Sequence, residues 1–313
     1  MKFLWQWTDA LRRTMANRSI PVQSMQNFEF TGEPGMRTWL RGIAIVAIIG
    51  YGAICAYMYV QQDSLIYPGG TTDVIPLPDL AQTDLKDFQA VTLDTPDGEH
   101  LKAIWHAPQE GHGVVLYLHG NRETLAAPWR AERLNDIAAL GIGVMGVEYR
   151  GFGGSSGHPS EAGLITDAET AYDYAAKQAP GAKIALFGDS LGTGVAVALA
   201  TQRPAAGLML DSPFSSARHV AEESYPWLPV KWLLNSPWDS YSRIATLKVP
   251  VLIAICEEDR KFPAAEGKRL FTAIPADNVN KMQLTFPGCG HVQTWANGAK
   301  GPGLIDLADW TRP

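Results

Sequence analysis

Runs of four to seven mostly apolar residues alternate with helical patterns along the chain beyond residue 88. Such runs are typical of strands buried in a sheet, and they fall at 113–118, 183–187, 207–210, 249–255 and 282–286. Helical patterns lie between them, at 129–140, 160–178 and 193–202. Because this alternation is typical of parallel sheets with helical crossovers, we predict an α/β domain with a mostly parallel sheet and helices on both faces.

One pair of predicted strands departs from this alternation. The runs 90–93 and 101–105 are separated by Pro96-Asp97-Gly98, which are residue types that favour tight turns. We therefore predict an antiparallel hairpin at the start of the domain.

A different pattern occupies the front of the chain. Residues 42–60 contain no charged residue, and as a helix they extend about 28 Å, close to the ~30 Å hydrocarbon core of a bilayer. Trp39, Tyr57 and Tyr59 suit the two membrane interfaces. We predict one transmembrane helix over 39–61, with a buried core helix as the alternative. A cleaved signal peptide is not expected, because about 41 residues precede the apolar run and no A-x-A site follows it.

Lysine and arginine are distributed unevenly about this helix. Residues 1–41 contain six of them, whereas residues 61–80 contain none. The positive-inside rule therefore predicts a cytosolic N-terminal segment over 1–38 and places the α/β domain on the periplasmic or lumenal side. Within that segment, Leu4, Trp7, Leu11 and Met15 lie at helical spacing. This spacing is compatible with a helix on the membrane surface, and a disordered tail is the alternative. A flexible connector is expected over 17–35.

The motif Gly188-Asp189-Ser190-Leu191-Gly192 lies between a predicted strand and a predicted helix. This is the context of a nucleophile elbow, a sharp turn that exposes a serine hydroxyl above a sheet. The two glycines allow the strand and the helix to approach closely. We predict Ser190 as a catalytic nucleophile, with a structural turn serine as the alternative.

A serine nucleophile needs a base and an acid that orients the base. His291 lies in a glycine-rich loop after the last predicted strand, and Asp259 follows the strand before it. The order serine, acid, histidine is that of α/β-hydrolases. Asp211 is the rival acid, and Asp259 is alternatively one member of a solvated acidic loop. No pair of histidines has the spacing of a zinc hydrolase, so no metal and no cofactor are expected.

The residues after the strand 113–118 complete the predicted site. We expect the backbone N–H groups of Asn121 and Leu191 to form an oxyanion hole. His119 is expected to organise this loop rather than to act as a base.

From about residue 88 to the C-terminus, the chain resembles the α/β-hydrolase superfamily. It is similar to the membrane-anchored α/β-hydrolase-domain proteins of the bud-emergence-homologue branch, which carry a serine aminopeptidase-like domain. The resemblance is carried by residues 62–68, 118–121, 148–155, 188–192, 211–214, 259–263 and 290–291. It implies the α/β-hydrolase fold, with Ser190, Asp259 and His291 as triad and Asn121 and Leu191 as oxyanion donors. One departure is the loop Arg122-Glu123-Thr124, where small glycine-rich residues are expected.

These observations predict a domain organisation: a cytosolic segment over 1–38, the membrane helix over 39–61, a linker over 62–87 and the catalytic domain over 88–313. A short cap is expected at about 212–248. Its aromatic density predicts an apolar wall over the serine or a surface facing the bilayer, with ordinary helix packing as the alternative. The net charge of −6 and the lack of a basic domain argue against nucleic-acid binding.

The predicted activity is that of a membrane-anchored serine hydrolase that cleaves acyl esters through an acyl-enzyme. The expected partners are the bilayer and a carboxylester, a lysophospholipid or a thioester. An aminopeptidase-type serine peptidase is one alternative, which would need Glu257 and Glu258 to hold the substrate amine. A non-catalytic membrane scaffold is another, disfavoured by the complete set of serine, aspartate and histidine.

Two of the three cysteines follow neighbouring strands of this fold. Cys256 ends the strand before Asp259, and Cys289 precedes His291 by two residues. In an oxidising compartment they could form a disulfide. Two buried apolar thiols are the alternative.

Overall fold

The computed structural model describes residues 34–278 and 280–312. The helix and connector expected near the N-terminus lie outside the described residues, apart from the last two residues of the connector. The chain forms two compact units, of which one ends at Ala53 and the other begins at Ile54.

The first described element is one long helix, α1, which spans Pro34–Ile66. The predicted membrane segment 39–61 lies inside it. Its apolar side chains are exposed, including Trp39 at 76% and Ile48 at 70%. Of the helices in the described residues, α1 is the one long and apolar enough to cross a membrane. Exposed apolar surface of this extent is typical of a segment that contacts lipid.

The second unit contains an eight-stranded sheet with the strand order β1-β2-β4-β3-β5-β6-β7-β8. The strands are β1 Gln89–Asp94, β2 His100–His106, β3 Val114–Leu118, β4 Gly143–Val147, β5 Ile184–Asp189, β6 Leu208–Asp211, β7 Val251–Cys256 and β8 Lys281–Phe286. β2 pairs antiparallel with β1 and β4, and all other neighbours are parallel. The predicted fold class and hairpin are confirmed. Strand β4 was not predicted, because two glycines interrupt its apolar pattern.

Helices cover both faces of this sheet, as predicted. They are α2 Pro128–Ala138, α3 Glu161–Gln178, α4 Leu191–Ala200, α5 Ala217–Ser224, α6 Val230–Leu233, α7 Ser240–Ile244, α8 Ala264–Ala273 and α9 Lys300–Thr311. One core joins the sheet to residues of α3, α4, α7 and α8, and the other joins it to α2 and α9. The short helices α5, α6 and α7 form the cap between β6 and β7.

The stretch 62–87, expected to be a linker, is packed into the second unit. A short 3-10 turn at Pro68–Gly70 is buried, and a second lies at Leu80–Gln82. Tyr67 is fully buried, and its hydroxyl accepts a 2.9 Å hydrogen bond from Trp238 Nε1 in the cap. This stretch therefore contributes to the core instead of spacing two parts of the chain.

Candidate active site

Ser190 lies at the sharp turn between β5 and α4. Its φ of +50° is in the left-handed region, which a serine adopts only where the surrounding structure imposes it. A Cβ atom on Gly192 would overlap the carbonyl oxygen of Leu118, and one on Gly188 would overlap Gly192. The flanking glycines therefore permit the close approach that forces Ser190 into this conformation.

The structure brings Ser190, His291 and Asp259 into one row of hydrogen bonds. His291 Nε2 lies 2.8 Å from Ser190 Oγ, and His291 Nδ1 lies 2.7 Å from Asp259 Oδ2. Asp259 follows β7 and His291 follows β8, so parallel pairing of the two strands brings their loops to the same edge of the sheet. Such a row allows a histidine to take the serine proton while a carboxylate orients the ring.

Asp259 has the surroundings of an ionised carboxylate. Burial disfavours its charge, but the hydrogen bond and charge of His291 outweigh burial and hold the pKa of Asp259 below its usual value. Its other oxygen, Oδ1, accepts hydrogen bonds from the N–H groups of Lys261 at 2.8 Å and Phe262 at 2.9 Å. The carboxylate is therefore fixed in position as well as in charge.

The rival acid, Asp211, has a different set of contacts. It is fully buried at the end of β6, where Arg133 Nη2 donates to its Oδ2 at 2.8 Å. Ser212 Oγ lies 3.2 Å from its other oxygen and accepts a hydrogen bond from the N–H of Val292. Asp211 thus supports the loop after His291 through Ser212, while Asp259 contacts the imidazole.

The predicted oxyanion donors lie on either side of Ser190. Within the residues that the structure describes, the backbone N–H groups of Asn121 and Leu191 have no hydrogen-bond acceptor. The Asn121 side chain is engaged, since its Nδ2 donates to Ile66 O at 2.8 Å and its Oδ1 accepts from Lys261 Nζ at 2.7 Å. Glu123 in the same loop has a φ of +60°, so the loop adopts at this position a conformation that glycine favours.

His119 is buried behind this loop. Burial, followed by the charge of Arg130, lowers the pKa of His119 to about 3, so its ring is neutral at physiological pH. Its Nδ1 lies 2.7 Å from Gly120 O, and its Nε2 lies 3.4 Å from Glu148 Oε2. Burial raises the pKa of Glu148 to about 7. A proton on Glu148 Oε2 would satisfy both of these otherwise unpaired atoms.

A buried group of charges beneath the elbow was missed from the sequence. Asp189, the residue before the nucleophile, accepts hydrogen bonds from Tyr117 Oη at 2.7 Å and from Arg130 Nε at 3.3 Å. Burial opposes its charge, but Arg130 and Arg133 keep the pKa of Asp189 below its usual value. The arginines at 130 and 133 lie one turn apart on α2, a spacing that places two cations on one helix face.

Two cavities open from Ser190. One, of about 400 Å³, is lined mainly by apolar side chains of the cap and of α1, including Met58, Val220, Leu228 and Leu233. The other, of about 600 Å³, is lined by many polar and charged residues, including Asn121, Arg122, Lys261 and His291. The cap therefore provides the predicted apolar wall, although Trp232 is 81% exposed and Trp238 is fully buried.

Cys256 and Cys289 form a disulfide, with their Cα atoms 5.2 Å apart. Of the two alternatives that the sequence left open, the structure therefore has the bonded one. The bond joins the end of β7 to the loop that carries His291. Cys289 N also donates to Glu258 Oε2 at 3.2 Å, so the acid loop and the histidine loop are held together at two places.

Away from Ser190, three side chains of the metal-binding type approach one another. His219, Glu223 and Glu266 bring their ligand atoms within 4.8 Å. His219 Nδ1 lies 2.9 Å from Glu266 Oε1, and Glu266 Oε2 accepts from the N–H and Oγ of Ser215. These contacts connect α5 of the cap to α8 and account for the cluster as a structural one.

Comparison with known proteins agrees with this architecture. A family model described as serine aminopeptidase, S33 matches residues 109–243. An uncharacterized protein of Mycobacterium tuberculosis is 38% identical over 80% of this chain and 86% of its own length. The α/β-hydrolase domain-containing protein WAV2 of Arabidopsis thaliana is 30% identical over 68% of this chain and 75% of its own length.

Some relatives have a named activity. The lysophosphatidylserine lipase ABHD12 of Danio rerio is 35% identical over 57% of this chain, and the match covers 52% of that protein. Among solved structures, an α/β-hydrolase from Vibrio vulnificus has a TM-score of 0.63 at 24% identity, over 79% of this chain and 92% of that one. At this identity the structural likeness concerns the fold.

Proposed function

The chain belongs to the α/β-hydrolase superfamily, and from this premise we propose that it is a membrane-anchored serine hydrolase of acyl esters, of the bud-emergence-homologue branch. The observation that carries the proposal is the hydrogen-bonded row from Ser190 through His291 to Asp259. This arrangement can activate a hydroxyl that is otherwise a weak nucleophile near neutral pH.

The first half of the reaction forms an acyl-enzyme. Ser190 Oγ attacks the ester carbonyl carbon as His291 Nε2 takes the hydroxyl proton, and Asp259 stabilises the imidazolium that results. The carbonyl oxygen becomes an oxyanion that the N–H groups of Asn121 and Leu191 bind. When the tetrahedral intermediate collapses, the bond to the leaving alcohol breaks and His291 gives that alcohol its proton.

The second half releases the acid. Water loses a proton to His291 and attacks the acyl-enzyme, and the same two N–H groups bind the new oxyanion. Collapse of this second intermediate breaks the bond to Ser190 Oγ, which recovers its proton from His291. The products are a carboxylic acid and free enzyme.

The two cavities favour an ester with one apolar and one polar part. The apolar cavity has the size and lining of a site for an acyl chain. In the polar cavity, Lys261 donates to Asn121 but has no carboxylate within 4 Å in the described part of the chain. A lysophospholipid would use both cavities, with its phosphate near Lys261. Arg122, which also lines the polar cavity, is paired with Asp73 at 2.8 Å. The lipase relative makes the same ester class the first to test.

We also propose the membrane arrangement and the domain limits. The apolar part of α1, at 39–61, would cross the bilayer as a single span. The excess of lysine and arginine before it favours a cytosolic segment at 1–38 and a catalytic domain, 88–313 together with the packed stretch 62–87, on the periplasmic or lumenal side.

A peptidase of the aminopeptidase type is the second candidate, because the matching family model carries that description. Such an enzyme needs carboxylates near the serine to bind a free amine. In the described part of the chain, Glu257 and Glu258 line neither of the two cavities that open from Ser190. Other carboxylates, among them Asp73 and Glu123, do line the polar cavity, but Asp73 pairs with Arg122 and Glu123 accepts a hydrogen bond from Trp129 Nε1. The acyl-ester activity is favoured because the apolar cavity beside Ser190 suits an acyl chain.

Labelling of isolated membranes with a fluorophosphonate probe tests the proposal. The wild-type protein should be labelled and Ser190→Ala should not, whereas Ser242→Ala, an exposed serine of the cap, should be labelled like the wild type. A panel of acyl esters and aminoacyl amides then separates the two candidates, with faster turnover of esters expected. A folded wild-type protein that takes no label would favour the scaffold alternative.

A further inference from the structure

We propose that the last turns of the anchor helix form part of the substrate site, as a wall of the acyl-chain cavity beside Ser190. The inference rests on the proposed ester hydrolysis and deepens it. It makes α1 a determinant of acyl-chain length as well as a means of attachment to the membrane.

The wall is built from one face of the end of α1. Met58, Gln62, Leu65 and Ile66 line the apolar cavity, at spacings of four, three and one residues along the helix. Side chains spaced by three or four residues lie on one helix face. Val60, between the first two, is 73% exposed and does not line the cavity. The cavity therefore contacts α1 along one stripe, about two turns long.

Hydrogen bonds attach this stripe to the cap, which lines the same cavity. Gln62 Nε2 donates to Leu233 O at 3.2 Å, and Gln62 Oε1 accepts from the N–H of Asn235 at 2.8 Å. Leu233 and Leu234 themselves line the cavity. The two walls therefore form one continuous apolar surface held by Gln62, which is only 7% exposed.

The same helix end contacts the loop that carries a proposed oxyanion donor. Ile66 O accepts from Asn121 Nδ2 at 2.8 Å, and Asn121 O accepts from the N–H of Gly69 at 3.0 Å. Ser190 and Leu191 also line the cavity. An acyl chain lying in the cavity would thus contact Met58 while its ester carbonyl lies near Ser190.

The position of these residues in the chain defines the substrate class. Met58 lies within the last turn of the segment proposed to cross the bilayer, and Gln62 follows it by one turn. The cavity wall therefore starts where the hydrocarbon core would end, which is where the ester bonds of lipids lie. The substrate class that fits is a single-chain amphiphile that leaves the bilayer along α1, with its acyl chain entering the cavity.

The experiment changes the cavity wall in the full-length protein in detergent. The variants are Met58→Trp, which fills the cavity, Met58→Ala, which enlarges it, and Val60→Trp, which adds the same side chain on the exposed face. Rates of p-nitrophenyl butyrate, octanoate, dodecanoate and hexadecanoate hydrolysis are compared per active site, titrated with a fluorophosphonate.

Each buried methylene of an acyl chain changes kcat/KM by a factor of about four. Loss of room for two or more methylenes in Met58→Trp should therefore lower the dodecanoate-to-butyrate ratio by about tenfold or more. Met58→Ala should shift the preferred chain towards hexadecanoate, and Val60→Trp should keep the wild-type profile.

The possible results separate the two proposals. A shift towards shorter chains in Met58→Trp and towards longer chains in Met58→Ala supports the inference. Unchanged chain-length profiles in both variants overturn it and leave the ester hydrolase intact. A wild-type protein that hydrolyses none of the four esters and takes no fluorophosphonate removes the proposed function, and the inference with it.

Discussion

The backbone of Ser190 adopts a conformation that serine disfavours, and the close approach around it depends on glycine. The left-handed φ of Ser190 is held by the pairing of β5 with its neighbours and by the start of α4. Gly192 permits it, because any side chain there would meet the carbonyl oxygen of Leu118. Conformational strain of this kind costs about 1–3 kcal/mol and persists where the surrounding structure imposes it.

The role of Asp259 as the acid that orients His291 can be tested by a single substitution. In Asp259→Asn, a carboxamide replaces the carboxylate beside His291 Nδ1, so the variant loses the charge that stabilises the imidazolium and favours the unproductive tautomer. We expect kcat for a short acyl ester to fall by about 10³–10⁴ with little change in stability. Steady-state kinetics on active-site-titrated protein measures this change.

The matched control is Glu257→Gln, an exposed carboxylate two residues earlier in the same loop. It should change kcat by less than twofold. A loss of less than tenfold in Asp259→Asn would mean that another group orients His291, and Asp211 would then be the first alternative.

At the scale of elements, the ends of β3 and β4 meet behind the oxyanion loop through His119 and Glu148. Glu148 Oε1 accepts from the N–H of Leu125 at 2.7 Å, while Oε2 faces the unprotonated Nε2 of His119. The neutral form of Glu148 satisfies both contacts. This explains how a fully buried carboxyl is tolerated without a direct ion pair.

The raised pKa of Glu148 predicts a pH dependence of stability. Below its usual pKa of 4.5, both the folded and the unfolded protein hold the proton. Between 4.5 and about 7, the unfolded chain releases it and the folded protein keeps it, so this stabilisation is lost progressively over that range. Glu148→Gln cannot ionise, and at pH 8 it should be more stable than the wild type by roughly 3 kcal/mol.

Denaturant unfolding in detergent at pH 5 and pH 8 measures this difference. The advantage of Glu148→Gln should be larger at pH 8 than at pH 5. An equal difference at both pH values would show that Glu148 titrates as an ordinary carboxyl.

The disulfide between Cys256 and Cys289 joins the loop that carries Asp259 to the loop that carries His291. The bond closes a sequence separation of 33 residues, so the double variant Cys256→Ser/Cys289→Ser should lose about 3–4 kcal/mol of unfolding free energy. Reductant should lower the stability of the wild type and leave that of the variant unchanged. Intact mass after alkylation without reductant checks the bond directly, and two additional labelled thiols in the wild type would disprove it.

For the whole molecule, the distribution of lysine and arginine predicts on which side of the membrane each end lies. In a Cys55→Ala background, Lys268→Cys places a thiol on the exposed face of α8, and Ser19→Cys places one before the span. An impermeant maleimide added to intact spheroplasts should label Lys268→Cys at once. It should label Ser19→Cys only after permeabilisation, and the reverse pattern would invert the proposed topology.

The sequence alone was sufficient for most of the fold. Buried parallel strands are short apolar runs, and in the crossover helices between them apolar residues recur every three or four positions. Each element can therefore be predicted from its own stretch of sequence. The hairpin and most of the strands were predicted in this way, and the five residues proposed for the site were predicted from their motifs and their order in the chain. The glycine-interrupted strand β4 was missed, since its pattern lacks that local signal.

The tertiary structure decided everything that depends on contacts between distant segments. Asp259 and Asp211 both follow apolar strands, and only the loop geometry determines that Asp259 contacts His291 while Asp211 pairs with Arg133. Three other features also depend on contacts between distant segments. They are the packing of 62–87, the bond between Cys256 and Cys289, and the hydrogen bonds between the end of α1 and the cap. A local hydrophobic pattern shows which face of a helix or strand is buried. Which residues pack against that face depends on the tertiary structure of the whole chain.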